Sequence, residues 1–188
     1  MNKKAGAFMD RTEILKKQNR VVVQLLWIAG FLAFLNNLLS VRDPIAGTLI
    51  IGVIGGLALI MSYLVYTNKM LHSVKYLGIA GIFITVFVFI EFTPGLLSYL
   101  TIYIALFILG IYQEQEVITI AGVLSIMVSS YAFFMHKEMI FHERYFDLLS
   151  LVSINFFILL ACVLLIIQSQ FGLRLQRDMK REHETPKK

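Results

Sequence analysis

Six long apolar stretches, joined by short polar connections, constrain this chain more than any motif in it. They fall near 21–40, 45–66, 76–92, 96–112, 117–135 and 148–171. A hydrocarbon core ~30 Å thick needs roughly 20 apolar residues of helix, with somewhat shorter runs tolerated. The runs are continuously apolar and do not alternate, and lipid requires each segment to satisfy its own backbone, so helices are expected rather than a barrel. The connections Val41–Pro44, Thr67–Lys75, Thr93–Gly95, Gln113–Glu116 and His136–Asp147 are too short to hold a domain. The expected fold class is all-α: a polytopic membrane protein with six transmembrane helices in three hairpins.

Basic residues orient that bundle. With six spans the two termini share a face, and fourteen of the seventeen Lys and Arg residues lie there: Lys3 to Arg20, then Lys69 and Lys75, then Arg174 to Lys188. Only Arg42, Lys137 and Arg144 lie opposite. Positive loops stay on the cytoplasmic side, so both termini are expected inside, in a multi-pass protein of the cell membrane. The organisation reads as a basic juxtamembrane leader over 1–20, a six-helix bundle over 21–171 and a basic helical tail over 172–188.

Hydrophobic residues make up 58% of the chain and charged ones 15%, unlike a soluble domain. The net charge of +5 is assigned to topology and to an anionic inner leaflet, with no nucleic acid partner. Cys162 is the only cysteine, which excludes an internal disulfide and offers no metal spacing. The first span follows about twenty polar residues and lacks a small-x-small cleavage site, so it is expected to be an uncleaved anchor.

Within the leader, Asp10-Arg-Thr-Glu13 resembles a helix start, and helix is expected from about Thr12 into the membrane. Pro44 suits an opening helical position. Thr93-Pro94-Gly95 divides an otherwise unbroken apolar run into two helices. Small residues let helices approach closely in lipid. Gly52 with Gly56, and Ala121 with Ser125 and Ser129, are therefore the expected helix-packing stripes, Gly78 with Gly81 a weaker notch. After the sixth span Phe171, Leu175 and Met179 recur every four residues among charged ones, an apolar stripe on a helix leaving the membrane. It reads either as a basic anchor on the inner leaflet or as the first turns of an output coiled coil.

Chemistry-bearing residues are few. Intramembrane charge marks ion and proton pathways because it is expensive there, and Glu91, one residue from the outer end of its span, is the only acid inside one. The outer loop from His136 to Arg144 is the richest polar cluster, and on a helix Glu138 and His142 would share a face that Glu91 could approach. Imidazole and carboxylate together bind zinc or copper, or titrate between about pH 5 and 8. The spacing matches no established metal motif, so no metal or other cofactor is assigned. Asn37 lies near the outer end of the first span. Neither Gly-x-Ser-x-Gly, His-Glu-x-x-His nor Cys-x-x-Cys occurs, and no enzymatic activity is expected.

Two stretches carry a family resemblance: Lys16-Lys-Gln-Asn-Arg20 running into Val21-Val-Val-Gln-Leu-Leu-Trp27, and Gln168-Ser-Gln-Phe-Gly-Leu-Arg-Leu-Gln-Arg-Asp-Met-Lys-Arg-Glu182. With six tight spans and both ends inside, the chain resembles the N-terminal membrane region of Bacillus-type methyl-accepting chemotaxis proteins without a large extracellular sensor. The resemblance implies a sensing bundle whose last helix feeds a cytoplasmic signalling coiled coil. Methylation helices and a signalling hairpin are missing here, so the output is expected from a continuation or a partner.

The leading expectation is a sensory, signal-transducing membrane module. Asn37, Glu91, Glu138 and His142 would sense, and Phe171, Leu175 and Met179 would pass the change inward. The partner would be a homo-oligomer or a membrane or cytoplasmic signalling protein. The alternatives are a small transporter or permease subunit for a neutral or lipophilic substrate, and an accessory subunit of a membrane complex.

Overall fold

The computed structural model describes residues 3–39, 44–68, 71–141 and 148–184, with side chains described over most of that length. The fold is all-α, with α1 (Lys3–Leu39), α2 (Pro44–Tyr66), α3 (Leu71–Phe92), α4 (Leu96–Gly110), α5 (Gln115–Phe141) and α6 (Leu148–Glu184) in chain order. Each apolar stretch has become one helix. Several boundaries differ from expectation. Helix α1 begins at Lys3 rather than near Thr12. Helix α3 begins at Leu71 and so takes in Lys75, which sequence placed in a connection. Helix α5 runs through to Phe141, with one non-helical residue at His136 (φ −129°, ψ 17°), so the first part of the expected outer loop is helical. Helix α6 continues without a break from the last span into the tail.

Among the described residues, four helices hold segments long and apolar enough to cross a membrane: Gly47–Tyr66, Ser73–Phe92, Gln115–Ile140 and Leu148–Leu175. Helix α4 is apolar but only 15 residues long, about 22 Å of rise. Its ends are fixed by polar turns. On one side Pro94 breaks the helix, Gly95 is extended and the Ser98 hydroxyl donates to the Thr93 carbonyl. On the other, Gln113 adopts a left-handed backbone (φ 51°), and its N–H reaches the Gly110 carbonyl at 3.0 Å.

Helix α3 is the centre of the bundle, touching α1, α2, α4 and α5, whereas α6 lies at the edge against α5 and α4. Met61, Ile102, Leu109, Tyr112 and Ile118 are among the residues closed off inside. Apolar side chains also cover the outside: Leu149, Phe156 and Leu164 on α6 are 76%, 61% and 58% exposed. Water would oppose such a surface at roughly 25 cal/mol per Å²; hydrocarbon does not.

Small residues decide where helices meet, though not at every expected position. Ala121, Ser125 and Ser129 on α5 are fully buried. Beside Gly52 and Gly56, in contrast, the space is open for 4 Å, so that stripe faces outward from this chain. The closer approaches are at Gly81, where an added Cβ would stand 2.2 Å from Leu57 on α2, and at Gly122, where it would stand 2.6 Å from the Cys162 sulfur on α6.

Candidate functional site

Polar side chains gather at the two ends of the bundle, and α5 joins the two clusters. The first, at the end that the sequence reading expects outside and here called the outer cluster, links α3 to α5. Glu91 lies in the last turn of α3 with its carboxylate still partly exposed. The Tyr131 hydroxyl donates to it at 2.8 Å, and His136 Nε2 lies 3.1 Å from the same oxygen. Tyr131 contacts the His136 ring edge-on at 6.2 Å between centroids and the Phe87 ring at 5.0 Å. The distortion at His136 coincides with the residue that reaches across to Glu91.

The second, at the opposite end and here called the inner cluster because the sequence reading expects that end inside, is built on the α4–α5 turn, 111–114, and the start of α5. From α1, Gln18 Nε2 donates to the carbonyls of Ile111 (3.1 Å) and Tyr112 (3.0 Å). From α3, the Lys75 ammonium pairs with the Glu114 carboxylate, the two side chains being 7% and 25% exposed, and the Tyr76 hydroxyl donates to Glu116 at 2.7 Å. From α6, the Ser169 hydroxyl donates to the Gln113 carbonyl. Three helices therefore hold one turn, in which Gln113 has a backbone that non-glycine side chains adopt at a cost of about 1 kcal/mol. Nearby, Asn19 donates to the Leu71 carbonyl at 3.1 Å. Its buried Oδ1 and the buried Tyr112 hydroxyl have no hydrogen-bond partner among the described residues.

Between the clusters, α5 is tied to its neighbours by single polar contacts. Tyr99 on α4 shares a 2.7 Å hydroxyl–hydroxyl bond with Ser129, and Asn155 on α6 donates to Ser130 at 3.4 Å. Such bonds between membrane helices contribute about 0.6 kcal/mol on average. They fix register more than they add stability.

Of the residues singled out for sensing, Glu91 is in the outer cluster. Glu138 is exposed on the last turns of α5. Only the backbone of Asn37 is described, and His142 lies outside the described residues. On the output side, Phe171 and Leu175 are 63% and 48% exposed on α6, while the Met179 side chain lies outside the described residues. Sequence reasoning passed over His136 because it was read as loop, and Lys75 with Glu114 because both were placed in connections between spans. One signal was available: opposite charges at the edges of consecutive apolar runs, where burial without pairing would be expensive. Among the described residues, no three His, Cys, Asp or Glu side chains converge as a metal site would require.

Comparison with protein-family models, curated proteins and solved structures found no match.

Proposed function

We propose that the chain is a six-helix sensory module of the cell membrane, with both termini cytoplasmic, in which α6 carries a change at the outer cluster to the inner face. The observation that carries this reading is the α4–α5 turn. Helices α1, α3 and α6 all bind it, Gln113 within it is strained, and among the described residues two buried polar atoms near it, Asn19 Oδ1 and the Tyr112 hydroxyl, have no hydrogen-bond partner. Strain and unpaired groups at one junction mark an element with a second arrangement of comparable energy. Helix α5 spans from that turn to His136, so a change in the Glu91 contact alters the tilt or rotation of α5 at both ends. Ser169 couples the turn to α6, which runs on into Leu175 and beyond. A ligand would act by binding one of the two arrangements more tightly.

The charge distribution supports the orientation. The contacts of Gln18, Lys75 and Ser169 place the start of α3 and the basic borders of α1 and α6 at one end of the bundle. The His136–Glu91 contact belongs to the other end. In this reading α4 also spans, and its polar turns draw the two interfaces together, a local thinning that costs fractions of a kcal/mol per Å. In a Cys162→Ser background, a membrane-impermeant maleimide added to intact cells should label Lys137→Cys. Arg174→Cys should label only after permeabilisation. The reverse pattern would invert the topology.

The coupling is tested with spin labels at Tyr66→Cys and Leu175→Cys in the same background. His136→Ala releases the Glu91 contact and stands in for the unknown stimulus. Helix shifts in switching proteins are ~1–2 Å, so the distance distribution should move by about that amount. A distribution identical to that of the unsubstituted histidine would defeat the sensory reading.

A further inference from the structure

We infer that the seam between α1 and α2 is a binding site for one anionic phospholipid of the inner leaflet, a site that rests on the membrane reading above. Two grooves lie end to end along this seam. The first, of about 670 Å³, is bordered by Lys16, Arg20 and Gln24 on α1 and by Leu59, Tyr63 and Tyr66 on α2. The second, of about 230 Å³, is lined by apolar side chains and glycines, among them Trp27, Phe31 and Phe34 on α1 and Ile51, Ile54 and Gly55 on α2. Trp27 Nε1 donates to the Ser62 hydroxyl at 3.1 Å, and Ser62 borders the first groove while Trp27 lines the second, so the two adjoin at this bond.

The order of chemistry along the seam matches a phospholipid. Lys16 and Arg20 are one helical turn apart on the same face of α1, at the basic end of the bundle, and neither forms an ion pair among the described residues. They offer two positive charges where a phosphate would lie, and tyrosine rings flank them at interfacial depth. From Arg20 to Phe34 the helix rises about 21 Å, enough to line an acyl chain through one leaflet's ~15 Å share of the hydrocarbon core. Gly55 holds the tail groove open, since nothing lies within 4 Å of where its Cβ would be. A zwitterionic lipid fits the apolar half equally well but presents a cation beside Lys16 and Arg20. Charge complementarity selects an anionic headgroup, and basic pockets between membrane helices commonly do so.

Trp27 is the chain's only tryptophan, so its fluorescence reports on this seam alone. The full-length protein is reconstituted in phosphatidylcholine vesicles containing, at equal mole fraction, either brominated phosphatidylglycerol or brominated phosphatidylcholine. The brominated anionic lipid should quench Trp27 with an apparent preference on the order of tenfold. Lys16→Gln with Arg20→Gln should abolish the preference while leaving quenching by brominated phosphatidylcholine in place. Gly55→Leu, which fills the tail groove and leaves both charges, should also reduce it. Arg174→Gln, remote from the seam, should not. Equal quenching by the two lipids, or a preference that survives Lys16→Gln and Arg20→Gln, overturns the site. Absence of quenching by either lipid overturns the membrane reading on which it rests.

Discussion

Changing Glu114 to glutamine is expected to destabilise the protein by about 1–3 kcal/mol, although the side chain keeps its shape. Lys75 is the reason. Its side chain is only 7% exposed, and with glutamine opposite it the ammonium keeps a hydrogen-bond acceptor but loses its counter-charge. Breaking a fully buried ion pair costs about 3–5 kcal/mol, nearly all of it from the charge left behind. The smaller figure applies because a quarter of the Glu114 side chain remains in contact with solvent. In a chain of this size each kcal/mol corresponds to roughly 2–4 °C in Tm. Thermal unfolding in detergent, followed by helical circular dichroism, should therefore show a drop of several degrees. The double variant Lys75→Met, Glu114→Gln should recover most of it, because no charge is then stranded. Glu114→Gln melting with the wild type would mean that water reaches Lys75 freely and the pair is of the ordinary surface kind, contributing ~0–1 kcal/mol.

The same pair shows what a single sequence reveals about such a chain. Each apolar run became a helix because runs of this length and composition have no other way to satisfy their backbone in lipid. The turn at Pro94 and Gly95 was equally legible, since proline fixes the break and removes a donor. Helix ends were less so. Leu71–Lys75 read as part of a connection because Lys75 is charged, yet pairing with a residue thirty-nine positions later allows it to begin a helix. His136 read as loop for the same reason, and its place is set by Glu91, forty-five positions earlier. Partners across helices fix both residues, and the pattern along one helix carries no information about them.

Glycine spacing has the same weakness. Gly52 and Gly56 form the cleaner small-residue stripe on paper, but the spacing states only that a close approach is allowed. Which helix takes up the offer depends on how the hairpins assemble. The α2–α3 hairpin chose Gly81 against Leu57, and Gly52 with Gly56 turned away. Had lipid-facing and bundle-facing sides differed in polarity, the sequence would have told them apart. In this chain both are apolar: Leu57 is buried and Leu59, two residues on, is 61% exposed.

That difference gives opposite expectations for one substitution at three glycines. Alanine is favoured over glycine in a helix by about 1 kcal/mol, which sets the gain where nothing obstructs the new methyl group. At Gly52 and Gly56 nothing lies within 4 Å, so each alanine should be neutral or raise stability by up to about 1 kcal/mol. At Gly81 the methyl group would overlap three carbons of Leu57, the nearest at 2.2 Å. Leu57 is only 9% exposed and has little room to turn away. Overpacking of this kind costs typically 1–3 kcal/mol, more than the helical gain. Gly81→Ala should therefore lower the Tm, and Gly81→Leu, which also drives the helices apart, should lower it further. Leu57→Ala placed on Gly81→Ala separates the causes. It makes room for the methyl group, so the pair should be less destabilised than the sum of its single changes, a coupling that only residues in contact produce. Strict additivity of the two changes would show that α2 and α3 do not meet at this point.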